Sequence, residues 1–164
     1  MSAPGPDGSA VLSLDHVQLA APPGCEPAAR RFYGGLLGLA ELAKPEPLQA
    51  RGGVWFALGA GQLHIGIADP FRPAGKAHPA LRLADETALE TLAQRLADAG
   101  APVRWDAELP AVRRFYTEDP WGNRLELLAA HRAAPKPLQQ SDSLGPSQSG
   151  PVAPPRATGP PRPD

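Results

Sequence analysis

The sequence predicts an α+β protein built from two copies of one strand–helix–strand–strand–strand unit. Three observations support this prediction. Segments with the periodicity of a strand or a helix occur twice, in the same order, along the chain. Corresponding positions in the two copies, such as Gly38 and Gly100, lie 62 residues apart. All nine aromatic residues fall between Phe32 and Trp121, which indicates one apolar core of ordinary domain size.

The first copy begins with a strand near Leu14, in which Val17 and Leu19 alternate with polar residues. Residues 26–37 carry apolar side chains at helical spacing, and Gly38 is a typical helix terminator. Three strand-like segments complete the unit, at residues 39–44, 54–58 and 62–68.

The second copy begins near Lys76, where Pro79 favours a strand that starts there or lies at a sheet edge. Residues 85–99 have the clearest helical periodicity, with Asp85 placed to cap the helix and Gly100 placed to end it. Three strand-like segments follow, at residues 103–106, 113–117 and 123–129. The turn-forming sequence DPWGN, at residues 119–123, predicts a hairpin between the last two strands.

Four polar residues occupy equivalent positions in these apolar strands, namely His16, His64, His78 and Glu126. His64 and Glu126 each lie between aliphatic neighbours, so strand alternation directs them to the face opposite the core. A lone strand histidine is usually a polar residue with satisfied hydrogen bonds. Here, however, His16 and His78 are 62 residues apart, as are His64 and Glu126, which favours a shared role for the four residues. If the two copies pack with twofold pseudosymmetry, three imidazoles and a carboxylate converge. Such a set suits a divalent ion of Fe, Zn, Ni, Co or Mn.

Further side chains are candidates for the rest of a site. Arg82 and Arg124 would bind an anionic substrate, although strand arginines are more often simply solvated. Trp55 would line an apolar substrate pocket, with core packing as the alternative. Tyr116 would donate a proton or a hydrogen bond to a substrate oxygen, with packing against the sheet as the alternative. Cys25 is not expected to be a nucleophile, because no histidine lies near it in the sequence.

The order and spacing of these motifs resemble the vicinal oxygen chelate superfamily, which includes glyoxalases, extradiol dioxygenases and fosfomycin- and bleomycin-resistance proteins. The matching stretches, which span residues 14–128, are LDHVQLA, RRFYGGLLGL, GQLHIGIA, KAHPALRLAD, LAQRLADAG and FYTEDPWGNRLELL. The resemblance implies paired βαβββ modules whose curled mixed sheet surrounds a cup-shaped metal site. It puts His16, His78 and Glu126 at common ligand positions, and His64 at a fourth. Tyr116 matches a tyrosine of the extradiol dioxygenases, so Tyr116 and Glu126 are the candidate catalytic residues.

The resemblance also orders the functional hypotheses. His64 stands where glyoxalases usually have a glutamate, which favours lyase- or dioxygenase-like chemistry over hemithioacetal isomerisation. The leading hypothesis is a metal-dependent enzyme that acts on a small substrate with neighbouring oxygens. The alternative is a metal-free protein that binds or sequesters a small molecule, as bleomycin-resistance proteins do. A third is an interaction protein that acts through a proline-rich tail.

Family members often pair two chains, so the resemblance implies a homodimer, with the site formed within one chain or between two. A formal net charge of −1 offers no electrostatic basis for binding nucleic acid or a membrane surface. Because no apolar run is long enough to cross a bilayer and the N-terminus lacks a signal-peptide pattern, a cytoplasmic protein is expected.

Composition divides the chain into three parts. Residues 132–164 contain nine prolines and no aromatic residue, which predicts a disordered tail. Residues 1–13 are likewise expected to be disordered, which leaves one domain at 14–131. His131, at the end of that domain, has no counterpart in the repeat and is expected to be solvated.

Overall fold

A computed structural model describes residues 11–129 of the chain. Strands β1 to β8 comprise, in order, His16–Ala21, Glu41–Leu42, Val54–Leu58, Gly61–Ile67, Ala80–Leu83, Arg104–Asp106, Arg114–Glu118 and Arg124–Ala129. Helix α1 spans Glu26–Ala29 and continues as a π-helix over Arg30–Leu36, while α2 spans Glu46–Gln49 and α3 spans Glu86–Asp98. The predicted tail at 132–164, most of the predicted N-terminal segment at 1–13, and His131 lie outside the described residues and stay predictions.

The two modules form two four-stranded mixed sheets with the same topology. The strand order is β1-β4-β3-β2 in the first sheet and β5-β8-β7-β6 in the second. In both sheets the first two strands of this order are parallel, and the other neighbours are antiparallel. The predicted α+β class and the repeated βαβββ module are therefore confirmed.

Alternation along the central strands separates a core face from a polar face, as predicted. On β4, Leu63 and Ile65 are fully buried on either side of His64. The two leucines beside Glu126 are buried in the same way on β8. Buried apolar side chains of both modules belong to one hydrophobic cluster, so the two sheets share a single core.

The first helix has the predicted extent, but its winding changes along its length. It is α-helical at first and π-helical from Arg30 onward. The backbone N–H of Leu37 donates to the carbonyl oxygen of Phe32, five residues earlier, at 2.9 Å. Phe32 and Tyr33, which are adjacent in this π-helical segment, are both buried. Apolar periodicity over so few turns does not distinguish α from π winding.

The connection between this helix and β3 differs from the prediction. A strand is expected over residues 39–44, but β2 comprises only Glu41–Leu42. Pro45 and Pro47 follow, and neither has an N–H to donate to a strand ladder. Proline is well tolerated in the first turn of a helix, and Pro47 lies in that turn of α2. The sequence prediction missed α2 because four residues are too few to show a helical period.

The second sheet begins later than predicted. β5 starts at Ala80, directly after Pro79, and lies at the edge of its sheet, as that proline predicts. The placement of His78 within this strand is therefore wrong, since His78 lies in the loop before it. The Glu126 N–H donates to the Pro79 carbonyl oxygen at 3.0 Å, which keeps this loop beside β8.

Helix α3 matches its prediction at both ends. The carboxylate of Asp85 accepts a hydrogen bond from the backbone N–H of Ala88 at 2.8 Å, which is the expected N-terminal cap. Gly100 follows the helix with a positive φ of 79°. Within residues 11–129, neither this helix nor a shorter one has the length and apolarity needed to cross a membrane.

The DPWGN turn forms the predicted hairpin and also joins the two modules. The Asp119 carboxylate accepts hydrogen bonds from the backbone N–H groups of Trp121 and Asn123, and from the Asn123 side chain. It also accepts one from the hydroxyl of Tyr33 in the first helix, at 2.8 Å. The Asn123 amide donates to the carbonyl oxygen of Ala20 on β1. Through the buried side chains of Asp119 and Asn123, this turn therefore holds the second module against the first.

Candidate functional site

His16 and His64 form the first pair of candidate ligands, on the neighbouring strands β1 and β4. Their rings are stacked, with centroids 4.4 Å apart and planes at 17°. Trp55, on β3, stacks on His64 with a centroid distance of 3.9 Å and an angle of 2°. Because β4 lies between β1 and β3, the three rings form a row across the sheet with His64 in the middle. Trp55 therefore packs against a candidate ligand rather than in the core.

His78 and Glu126 form the second pair, in the other module. The Nε2 atom of His78 lies 3.1 Å from Oε2 of Glu126, and both side chains are largely buried. The other oxygen of Glu126 accepts a hydrogen bond from Nη1 of Arg114 at 3.1 Å. A histidine from a loop and a glutamate from the adjacent strand are thus in direct contact.

Each of the three histidines has one ring nitrogen beside an oxygen acceptor. Nδ1 of His16 lies 2.7 Å from the Asp15 carboxylate, and Nδ1 of His78 lies 2.7 Å from the carbonyl oxygen of Lys76. Nε2 of His64 lies 2.8 Å from the side-chain oxygen of Gln62. Since these oxygens only accept, the ring nitrogen must donate, and in a neutral ring the other nitrogen keeps its lone pair. That is the arrangement found in metal-binding histidines.

The second pair has an additional property. With Nδ1 of His78 donating to Lys76, a neutral ring points the lone pair of Nε2 at the Glu126 carboxylate, which is also an acceptor. A proton or a metal ion has to lie between two such acceptors for the contact to be favourable. The donor set of this pair therefore fits a divalent cation.

Burial and charge keep His64 in the neutral form that ligates metals. Its side chain is only 5% exposed. Burial, followed by the neighbouring His16, lowers the pKa of His64 below its usual value. A neutral imidazole binds a metal ion without first losing a proton.

Among residues 11–129 of one chain, no three His, Cys, Asp or Glu side chains are grouped so that they could hold one metal ion. The structure thus brings the four candidates together as two pairs, one in each module. Cys25 belongs to neither pair. Its side chain is 2% exposed, and burial raises the pKa of its thiol, which makes it a poor nucleophile.

The sequence prediction missed Arg114, which contacts both a candidate ligand and a second carboxylate. Its guanidinium donates to Glu126 and, through Nη2, to Asp106 at 3.2 Å. Strand alternation places Arg114 on the same face as Tyr116, two residues later, and this was the available signal. The carboxylate partners lie on β8 and β6, and only the pairing of the strands brings them to Arg114.

Of the remaining predicted residues, Tyr116 and Arg124 lie beside the second pair and Arg82 does not contact it. The Tyr116 ring meets the His78 ring edge-on at 5.5 Å, and the Arg124 guanidinium lies 3.9 Å from the Tyr116 ring centroid. The Nε atoms of Arg114 and Arg124 are buried without a hydrogen-bond partner in the described residues. Arg82 is exposed on the edge strand β5. Of the two predicted arginines, Arg124 is therefore the one placed beside the second pair.

Two cavities bear on the location of a site. One of about 250 Å³ lies beside the first pair and is lined by Gln18, Lys44, Arg51 and Trp55, among others. A larger one of about 500 Å³ lies between the first helix and the segment after α3, and none of the four candidate ligands lines it. The four candidate ligands do not line the smaller cavity either, but Gln18 and Trp55, which do line it, are the strand-pairing partners of His64.

Comparison with known proteins relates this geometry to a group of structures. No protein-family model matches the chain, and no curated protein does. A crystal structure described as a glyoxalase family protein from Bacillus anthracis is 44% identical, with a TM-score of 0.68, and the match covers 73% of this chain and 95% of that one.

Two further structures share the fold at lower identity. The lactoylglutathione lyase of Agrobacterium tumefaciens is 20% identical, with a TM-score of 0.59, over 75% of this chain and 97% of that one. The fosfomycin resistance protein FosX of Listeria monocytogenes is 16% identical, with a TM-score of 0.59, over 73% of this chain and 94% of that one. These two matches concern the fold alone.

Proposed function

The chain belongs to the vicinal oxygen chelate superfamily, and on this basis we propose that it is a metal-dependent enzyme acting on a small substrate with neighbouring oxygens. The observation that carries the proposal is the contact between His78 and Glu126. Its two facing acceptors require a cation or a proton between them, and the Lys76 carbonyl oxygen selects the ring tautomer that ligates metals.

The residues that would hold the metal are His16, His64, His78 and Glu126. Three imidazoles and a carboxylate suit Fe, Zn, Ni, Co or Mn, and the absence of a thiolate from this set disfavours softer ions. When bound, such an ion acts as a Lewis acid toward two neighbouring substrate oxygens. Asp15, Gln62 and Lys76 would each orient one histidine through its other ring nitrogen, as in many metal sites.

Residues around the second pair would supply the remaining chemistry. Glu126 would accept a proton as a general base or remain a ligand, with Arg114 orienting its carboxylate. Tyr116, beside His78, would donate a hydrogen bond or a proton to a substrate oxygen. Arg124 is held against the Tyr116 ring and would bind an anionic part of the substrate. Arg82 is a weaker candidate for that role because it is exposed at the sheet edge.

We further propose that the complete site forms in a homodimer, from the first pair of one chain and the second pair of the other. The separation of the four candidates into two pairs within residues 11–129 supports this arrangement. A twofold axis would then create two equivalent sites, each with three imidazoles and one carboxylate.

Metal analysis tests the proposal directly. Chelator-treated protein is offered each divalent metal in turn, dialysed and analysed, together with Glu126→Gln and the control Glu118→Gln, a glutamate on β7 that pairs with Arg104. We expect about one equivalent per chain in the wild type and in the control, and less than about a tenth in Glu126→Gln. Less than a tenth of an equivalent of every metal in the wild type would contradict the proposal and favour a metal-free binding protein.

An activity screen of the metal-loaded protein then separates the reaction classes. Catechols under air test for a dioxygenase, and methylglyoxal with a thiol tests for a glyoxalase. We expect the activity to fall at least about a hundredfold in Tyr116→Phe if the hydroxyl transfers a proton. Unchanged kcat in that variant would remove Tyr116 from the catalytic residues.

A further inference from the structure

The cavity beside the first pair has a chemical character of its own. It has a volume of about 250 Å³ and lies near the end of β4. Gln18 and Trp55 line one part of it, Lys44 and Arg51 another, and Ile67 adds apolar surface. Aromatic, apolar and cationic groups together are typical of a pocket for a small organic anion.

The cavity is positively charged. Two cations line it and no Asp or Glu does. Within residues 11–129, the Arg51 guanidinium forms no hydrogen bond and no ion pair, while Lys44 donates to the carbonyl oxygen of Gly52. The Glu26 carboxylate, which interacts with Lys44, accepts a hydrogen bond from the Gly53 N–H at 2.7 Å and does not line the cavity. Arg51 is therefore available to a ligand.

The cavity also adjoins the strand neighbours of the candidate ligand His64. Gln18 pairs with His64 across β1 and β4, and Trp55 pairs with His64 across β3 and β4. Gly66, the next residue of β4 on this face, has no side chain, and the Gln18 amide lies where its Cβ would be, within 2.7 Å. A ligand in the cavity would thus lie against the immediate neighbours of His64.

We propose that Lys44 and Arg51 bind the carboxylate or phosphonate group of a small anionic substrate, with Trp55 packing against its carbon skeleton. The role in substrate binding rests on the proposed function, whereas the anion site itself does not. Anion binding by two cations beside an aromatic ring would place the rest of the molecule next to His64.

Titration of chelator-treated full-length protein tests this site. The probes are benzoate and phenylphosphonate, which carry the two anionic groups, and benzamide, which has a similar shape but no charge. Binding is measured by calorimetry and by NMR. We expect one of the anions to bind at least about tenfold more tightly than benzamide, the difference given by one charge-assisted hydrogen bond. The anion that binds more tightly identifies the group.

Variants identify the residue responsible. Arg51→Gln is expected to abolish the preference for the anion, and Arg51→Lys to retain part of it. Arg72→Gln, which removes an exposed arginine elsewhere, is the matched control and should bind like the wild type. Equal affinity for anion and amide in the wild type, or an unchanged preference in Arg51→Gln, would overturn the proposal.

Metal uptake by the same protein preparations after reloading keeps this test separate from that of the proposed function. Anion binding through Arg51 in a protein that takes up no divalent metal on reloading would refute the metalloenzyme and support the anion site. Metal binding without any preference for the anions would support the metalloenzyme and refute the anion site.

Discussion

At the residue scale, the three candidate histidines are oriented by contacts with oxygen atoms of their own modules. The acceptors are a carboxylate, a side-chain amide and a backbone carbonyl, and each lies within two residues of the histidine it contacts. Such short-range contacts form as soon as the local strand or loop forms. Each ring is therefore pre-oriented before the two modules, or two chains, bring the ligands together.

Replacing Gly53 tests how much the close approach of its backbone to β4, near the first pair, contributes to stability. Gly53 has a φ of 79°, and an added Cβ would overlap the carbonyl oxygen of Ile65 on β4. Gly53→Ala should therefore combine left-handed strain with a steric clash and lower the free energy of unfolding by more than about 2 kcal/mol. Urea denaturation followed by far-UV circular dichroism measures the change.

Gly59→Ala is the matched control for this prediction. Gly59 also has a positive φ, 57°, but no heavy atom lies within 4 Å of its added Cβ. Strain alone should cost about 1 kcal/mol there. If both variants lose the same stability, the close approach of Gly53 to β4 does not contribute.

The candidate residues differ in how far the sequence could predict them. Alternation with buried aliphatic residues was sufficient to predict that His64 and Glu126 lie on the polar face, because strand geometry alone decides which face a side chain is on. His78 was found through its 62-residue offset, although it lies in a loop. Arg114 was missed because its partners are separated from it by 8 and 12 residues and meet it only through sheet pairing.

At the element scale, the turn at residues 119–123 connects the modules through hydrogen bonds with the first helix and with β1. Its central contact is between Asp119 and the hydroxyl of Tyr33 in the π-helical segment. The turn sequence predicted the hairpin, but not this contact, which joins residues 86 positions apart. The π-helical winding and α2 were likewise beyond the sequence pattern, because both are too short to establish a period.

The Tyr33 contact predicts how stability depends on pH. Burial, and then the Asp119 charge, raise the pKa of Tyr33 well above the usual tyrosine value of 10.0. The hydroxyl stays protonated in the folded state but ionises in the unfolded state above pH 10, so alkali favours unfolding. The stabilisation is complete below pH 10 and should decline above it by up to about 1.4 kcal/mol per pH unit.

Tyr33→Phe separates this effect from other alkaline transitions. At pH 7 the variant should be about 1 kcal/mol less stable than the wild type, since one hydrogen bond to Asp119 is lost. Between pH 10 and pH 11.5 the difference in stability should narrow and then reverse, because only the wild type has a hydroxyl that ionises on unfolding there. Thermal unfolding at each pH measures both curves, and a constant difference would exclude Tyr33 as the cause.

At the scale of the whole molecule, the repeat produces two similar sheets, each with two candidate ligands, but the side chains around the two pairs differ. The first module contributes two histidines and an aromatic row, and the second contributes a histidine, a glutamate and nearby arginines. The topology could be predicted because each unit is a complete sequence pattern. Whether the two halves of a site meet within a chain or between chains depends on module packing, which no local pattern encodes.

Mixing two inactive variants tests the shared site of the proposed dimer. His16→Ala disables the first pair and Glu126→Ala disables the second, so each homodimer should bind little metal. After the two are mixed, dissociated and allowed to reassociate, half of the dimers contain both chains. Each mixed dimer has one site with all four ligands intact, so the mixture should recover about a quarter of the wild-type metal content. Metal analysis after dialysis measures this fraction.

A second mixture supplies the control. His16→Ala combined with His64→Gln places both changes in the first pair, so every site of every dimer keeps a defect and no metal binding should return. If the first mixture also recovers nothing while co-purification of two differently tagged chains shows mixed dimers, the complete site is not shared between chains. Recovery specific to the first mixture would mean that each chain supplies the half of the site that its partner lacks, as the separation of the two pairs within residues 11–129 leads us to expect.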